Sequence, residues 1–250
     1  VRICKEVSSK YTRSKVRKKM PLEFTYAIDE LLHVDDNDEN KKVYYSEIIQ
    51  TILDVEIADK FIIALCELIQ NLTIDNLHII GDIFDRGPRA DIIMNALMRF
   101  HDVDIQWGNH DISWMGAATG NLASICVVLR IAISYNSFDV LEDGYGINLR
   151  PLSMFAANVY RDDPCLRFQP KIPDENIYDA VDPGLAAKMH KALAVMQFKM
   201  EGQIIKRHPD YQMEERMLLN HVNFEKGTVS IGGKEYPMLD MNFPTVDPKD

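Results

Sequence analysis

Two short runs hold the residues best suited to do chemistry. Leu77-His78-Ile79-Ile80 leads into Gly81-Asp82-Ile83-Phe84-Asp85-Arg86-Gly87, and Val103-Asp104-Ile105-Gln106-Trp107 leads into Gly108-Asn109-His110-Asp111. Asp82 is a hard anionic oxygen ligand able to bridge two divalent cations, and Asn109 offers a neutral carbonyl oxygen to one of them. Paired cations, roughly 3.5–4 Å apart, lower the pKa of bound water and stabilise the attacking and leaving oxygens of a phosphoester displacement. His110 suits a general acid that protonates the leaving alkoxide, a contribution of roughly 10² to 10⁴ in rate. Asp85 would orient the imidazole and favour its charged form. The planar fork of Arg86 suits bidentate contact with phosphoryl oxygens. Taken singly, each of these residues is better explained as a turn residue, an N-cap or a partly buried histidine. The combination at this spacing is what points to catalysis.

Each run is a short apolar segment that ends in a glycine, the pattern of a strand delivering a loop, and glycine lets the backbone turn tightly before each ligand. Between them, Pro88 stands at a first helical position, and Ile92, Ile93, Ala96, Leu97 and Phe100 share one helical face. The unit is therefore strand, helix, strand. A right-handed crossover makes its strands parallel, so both loops leave one carboxyl edge, where open α/β sheets bind ligands.

The two loops resemble the second and third signatures of the calcineurin-like metallophosphoesterases. More narrowly, Ser8 through Arg17, the run from Ile79 through Met115, and Leu141-Glu142-Asp143-Gly144-Tyr145-Gly146-Ile147-Asn148 resemble the class III fructose-1,6-bisphosphatases, over most of the chain. The resemblance implies an α/β fold: a partial metallophosphatase core of one βαβ unit with large, mostly helical insertions. It also implies a two-metal, manganese-dependent hydrolase of gluconeogenesis that removes the 1-phosphate of fructose 1,6-bisphosphate. Carried over by motif, Asp82 is the bridging ligand, Asn109 a ligand of one metal, His110 with Asp85 the acid pair, and Arg86 a phosphate contact. The third signature ends in Asp111, where protein Ser/Thr phosphatases have Glu. The first signature, an Asp-x-His loop, is absent, since none of His33, His78, His101, His110, His190, His208 or His221 has Asp two places earlier. None precedes a glycine, as one of the later ligand histidines usually does. With Val1 at its start and Asp250 at its end, the chain is expected to be an internal fragment, its two-metal site incomplete without the missing parts of the parent chain and its isolated activity lost. A diadenosine polyphosphate hydrolase, a protein phosphatase, or a noncatalytic helical domain for assembly or regulation are the competing expectations.

At 250 residues, 46% hydrophobic and 26% charged, the chain has an ordinary globular balance. A net charge of −10 argues against nucleic acid and anionic membrane as partners. No apolar run is long enough to span a bilayer. Cys4, Cys66, Cys126 and Cys165 are scattered, as expected of reduced, buried thiols in the cytoplasm. Charge is segregated: residues 1–20 hold eight Lys or Arg against Glu6, so they carry +7 and the remainder −17. Within that segment Arg13, Lys15 and Arg17, with Lys18 and Lys19, could neutralise the second phosphate of a bisphosphate or an anionic effector. A solvated helix face or a surface docking on missing chain are the other readings.

Three regions follow from the patterning: a basic and helical 1–72, a metallophosphatase portion at 73–135, and a helical 136–250 ending in a β-hairpin. Helices are expected from Leu22 to Leu32, Tyr44 to Leu53 and Ala58 to Leu72, the last with a stripe of Phe61, Leu65, Leu68, Ile69 and Leu72 and with Cys66 as core filling beside it. The acidic run from Asp35 to Asn40 lacks the glycine and distal glutamate of a calcium loop, so it reads as a solvated turn. Trp114 to Ala118 and the apolar Leu122 to Ile133 continue as helices, with Trp114 and Met115 at the pocket mouth or in the core. Glu142 to Gly146 reads as a glycine-hinged loop, Leu152 to Tyr160 as a short helix, and Asp162 to Pro173 as a proline-punctuated connection. Asp182-Pro183 opens a long helix in which His190 is a metal ligand or a core histidine. Ile204 to His221 reads as mixed-charge helix in which His208, followed by Pro209, looks like linker, and Thr228–Ile231 with Lys234–Tyr236 reads as a hairpin with a primed turn. The helical decoration suits a lid over a sugar bisphosphate or a homo-oligomer contact.

Overall fold

Most of the chain folds as helix, as its 3.6-residue apolar spacing requires, with five short strands among the described residues. The computed structural model describes residues 1–33, 39–171 and 182–246. They fall into two units, Val1–Ile79 with Phe100–Asp104, and Ile80–Arg99 with Ile105–Asp250, so the 73–135 stretch is divided between them. Among the described residues no helix is long and apolar enough to cross a membrane.

Helices α1 (Arg2–Ser8), α2 (Arg13–Lys19), α3 (Thr25–Leu32), α4 (Glu39–Asp54) and α5 (Ala58–Thr73) build the first unit. Their inward stripes bury Cys4, Val16, Ile28, Leu68 and Leu72, and Phe24 meets Phe61 edge-on at 5.5 Å. Cys66 faces outward, a correction to its expected place as core filling. Helix α4 begins at Glu39, five residues before the expected Tyr44. The acidic Asp35–Asp38 lies outside the described residues, as do the last residues of the connection to Pro173. Strands β1 (Leu77–Ile79) and β2 (Val103–Ile105) pair, with the Leu77 N–H donating to the Asp102 carbonyl at 3.0 Å. The His78 ring bonds the Asp104 carboxylate.

The second unit holds α6 (Ala90–Arg99), α7 (Asn109–Ala118), α8 (Leu122–Ser134), α9 (Arg150–Val159) and α10 (Pro183–Arg207). Helix α6 starts at Ala90 rather than at Pro88, because Arg89 takes a left-handed φ of 56° that no helix accommodates. Its Ile92 and Ile93, expected on a covered face, are 54% and 46% exposed. Helix α8 is buried along much of its length, as its all-round apolar character requires. Asp182 caps α10 by accepting the Gly184 N–H at 2.9 Å, and the buried Ala186, Ala187 and Ala192 sit where α10 packs on α8 and α9. Glu142 to Gly146 is not an open loop: Val140–Gly144 winds as one π-type turn, its Gly144 pressed on Asp91. Helix α10 stops at Arg207, and the helix expected through His221 is replaced by short 3₁₀ turns, because Pro209 lacks an N–H and bars the α conformation from His208. Strands β4 (Thr228–Ile231) and β5 (Lys234–Pro237) form the expected hairpin, turned by Gly232 and Gly233 at φ 56° and 76°. A strand not foreseen, β3 (Val222–Asn223), pairs antiparallel with β4.

One buried cation organises the far side of α10. The fully buried Lys191 ammonium donates to Asp163 at 2.6 Å and to Asp240 at 2.8 Å, with the Tyr160 and Phe243 rings 5.1 and 4.9 Å away. Burial pushes the Asp163 carboxyl up, and hydrogen bonds from Lys191, the Cys165 amide and Asn242 outweigh it, leaving a pKa of about 2. A carboxyl depressed in the fold stabilises above its unfolded pKa and loses that contribution as pH falls through the folded value. Unfolding free energy is therefore expected to drop by about 2 kcal/mol between pH 4 and pH 2 from this group. Lys191→Met should cost about 3 kcal/mol at neutral pH and flatten that slope in chemical unfolding curves; an unchanged slope would remove the cluster from the stability account.

Candidate active site

The second unit brings the two glycine-led loops into backbone contact. Gly81 has a φ of 92°, and a Cβ there would lie 2.5 Å from the Gly108 nitrogen and 2.7 Å from the Gln106 carbonyl. Gly108 has an ordinary φ of −80°, so its glycine is a matter of space. A Cβ on it would lie 2.1 Å from Asp82 Oδ1. The glycine of the second loop thus clears room for the carboxylate of the first, a reason different from the tight turn expected from sequence. Gly108→Ala is expected to push the Asp82 carboxylate aside while leaving helix content intact. Metal analysis of the full-length protein should then show a large loss, and retained metal would show that the close approach has no consequence.

Asp111 ties the loops together. It is 1% exposed. Its Oδ2 accepts the Asp82 N–H at 2.6 Å and the Gly108 N–H at 2.9 Å, and its Oδ1 accepts the Phe84 N–H at 3.1 Å. From the third position of α7 it therefore satisfies amides of both loops, one of them at the head of its own helix. The Phe84 ring stacks on Trp114 at 4.6 Å, so the first loop is gripped by a carboxylate and an aromatic face. Asp82 itself adopts a left-handed φ of 55°, and its Oδ1 accepts the His110 N–H at 3.3 Å, which places the carboxylate at the positive end of α7. In the sequence Asp111 reads only as a departure from Glu. Its position three residues after the helix-heading glycine was the available signal.

His110, Asp85 and Arg86 form one connected group. His110 Nε2 lies 3.0 Å from Asp85 Oδ1, both side chains three-quarters or more buried with 19% and 24% exposure. Arg86 donates through Nε to Asp85 Oδ1 at 2.6 Å and through Nη2 to Oδ2 at 2.9 Å. The fork expected to grip a phosphoryl group therefore grips Asp85. Nη1 donates to the Tyr135 hydroxyl at 3.4 Å. Hydrogen bonding from Arg86, with the charge of His110 in support, holds Asp85 below the usual carboxylate range. An anionic Asp85 is the state that can orient a protonated imidazole.

As metal donors this chain offers the Asp82 carboxylate and the Asn109 amide oxygen, both on exposed residues. Among the described residues no group of three His, Cys, Asp or Glu side chains is placed to hold an ion. Two side chains fall short of the near-octahedral set a manganese ion takes, so these residues fit a share of a metal site and not a whole one. His190 is a core histidine: Nδ1 lies 3.0 Å from the Phe168 carbonyl, and burial pushes its pKa down. The basic segment belongs to the first unit, where Arg13 pairs with Asp29 at 2.8 Å and Lys15 lies 3.6 Å from Asp75, while Arg17 is exposed.

Comparison with known proteins identifies the family. The family model described as Firmicute fructose-1,6-bisphosphatase matches residues 1–250. The proteins named fructose-1,6-bisphosphatase class 3 from Clostridium acetobutylicum and Parabacteroides distasonis are 54% and 55% identical over 100% of this chain and 38% of their own length. That from Listeria innocua is 51% identical over the same shares. The chain thus spans well under half the length of the curated relatives it matches. No solved structure matches it significantly. With its whole length matched, this chain belongs to the Firmicute fructose-1,6-bisphosphatase family.

Proposed function

We propose that the chain is the loop-bearing part of a phosphoric monoester hydrolase that removes the 1-phosphate of fructose 1,6-bisphosphate, a gluconeogenic reaction, and that its two loops belong to a calcineurin-like metallophosphoesterase core. The single observation that carries this reading is the junction of both loops through Asp111, which sets the His110–Asp85 pair beside Asp82 at the head of α7. The names of the relatives supply the substrate. Helices without membrane-spanning character, and four cysteines unpaired among the described residues, support a cytoplasmic setting.

Each residue then has a role at a named atom. Asp85 Oδ1 holds His110 through Nε2 and stabilises the imidazolium, which leaves Nδ1 to give its proton to the leaving sugar oxygen. Arg86 locks Asp85 in its anionic form and stands as a phosphate contact on the Tyr135 side. Asp82 and Asn109 are this chain's contribution to a manganese site whose other ligands lie elsewhere in the parent protein. When bound, that metal supplies water activation and charge neutralisation. The site is not assembled by this chain alone, and the isolated polypeptide is therefore inactive on this reading.

The test is an assay of the full-length protein with manganese against fructose 1,6-bisphosphate, a phosphopeptide and diadenosine tetraphosphate. The bisphosphate should be turned over with a kcat/KM at least 10²-fold above the others, about 3 kcal/mol of discrimination. Preference for either alternative would overturn the substrate.

A further inference from the structure

Because Arg86 is engaged by Asp85, the chain must answer how a substrate with two phosphates is held at its second one. We propose that Tyr135 and Lys171, beside Arg86, clamp the phosphoryl group that is not transferred, an inference that rests on the hydrolase reading above. Tyr135 closes α8. The next residue, Asn136, is 4% exposed with a left-handed φ of 59°, and Ser137 N–H donates to the Ala132 carbonyl at 2.8 Å, so a fixed turn sets where the phenol points. Arg86 Nη1 donates to the phenol oxygen at 3.4 Å, with the guanidinium carbon 5.2 Å from the ring centroid. Lys171 is far along the chain, yet its backbone N–H donates to the Ser134 carbonyl at 2.7 Å and its ammonium lies 5.2 Å from the same centroid.

Hydrogen-bond accounting says what such a group recognises. The phenol oxygen accepts from Arg86 at 3.4 Å while the Lys171 ammonium lies over the ring, and the two cations hold Tyr135 below the usual phenol range. Its own proton is thereby turned away from both cations and needs an acceptor. An acceptor placed between two positive charges is an anion. Asp85 is not that anion, since Arg86 and His110 take up its oxygens. Charge leads to the same place. Asp85 pairs with Arg86, and the Lys171 ammonium adds a second positive charge beside the phenol. Phenol hydroxyl, ammonium and guanidinium edge together offer donors from three directions, which suits the three terminal oxygens of a phosphate monoester better than a planar carboxylate. Arg86 stands between Tyr135 and the Asp85–His110 pair, so a phosphoryl group in the clamp is displaced from the oxygen that His110 protonates. That displacement assigns the clamp to the second phosphate.

The experiment uses the full-length protein with manganese, and compares wild type with Tyr135→Phe, Lys171→Gln and Lys171→Arg. Tyr135→Phe keeps the ring and removes only the hydroxyl. Each of Tyr135→Phe and Lys171→Gln is expected to raise KM for fructose 1,6-bisphosphate about tenfold or more, the worth of one charge-assisted hydrogen bond. The effect on kcat should be much smaller, and so should the effect on p-nitrophenyl phosphate, which has no second phosphate. Lys171→Arg should restore most of the KM. Thermal unfolding midpoints should stay at the wild-type value. Equal losses on both substrates, an unmoved KM, or a fall in midpoint that accounts for the loss would each overturn the clamp while wild-type turnover leaves the hydrolase reading standing. A wild type that ignores the bisphosphate would remove both.

Discussion

His110→Ala in the full-length protein is expected to slow turnover of fructose 1,6-bisphosphate by roughly 10² to 10⁴, with bound metal close to the wild-type amount. The imidazole is engaged by Asp85 Oδ1 at 3.0 Å, and the group that steadies Asp82 is the His110 backbone N–H, which alanine retains. Deleting the ring therefore removes a proton donor and leaves the carboxylate ligand where it was. Asp82→Asn should behave the opposite way. On the proposed role of Asp82 it would remove the anionic charge that attracts a cation, so metal content should collapse and activity with it. Steady-state rates and elemental analysis on the same preparations decide the matter. Metal lost from His110→Ala but kept by Asp82→Asn would reverse the two roles.

Asp111→Asn is the second large effect, and it is structural in origin. The carboxylate accepts three amide N–H groups from two loops, two on Oδ2 and one on Oδ1. Asparagine keeps one oxygen. If that oxygen faces Asp82 and Gly108, the new amide donor faces the donor N–H of Phe84, in a setting with 1% exposure. A lost hydrogen bond to a charged acceptor and an unpaired buried donor together should cost about 3 kcal/mol. Chemical unfolding of the variant should show that loss. In the full-length protein, metal and activity should fall together, which separates it from His110→Ala. A variant as stable as wild type would mean that the loops are joined by contacts other than this carboxylate.

Much of the local structure was legible. Helices α5, α8, α9 and α10, and the Gly232-Gly233 hairpin, lie close to where apolar period and turn chemistry put them, because those signals act over a few residues. The misses have local causes that the pattern hid. Arg89 leaves the helical region one residue after a proline that looked like a helix start. Pro209 ends α10 at the His208-Pro209 step that reads as linker, but the mixed-charge residues beyond it form short 3₁₀ turns and not helix. Cys66 sits beside an apolar stripe yet on the outside of it.

The sequence by itself determined the residue types of the site and their grouping into two loops, since Asp82, Asp85, Arg86, Asn109 and His110 are chosen by what their atoms can accept, donate or ligate. Only the tertiary structure decided which atom meets which. It set His110 on Asp85, made Asp111 the clasp of both loops, and brought Lys171 to the ring of Tyr135 from far along the chain. The reason is geometric: which donor meets which acceptor depends on distances of about 3 Å between segments distant in the chain, and such distances are set by packing, which residue spacing does not encode.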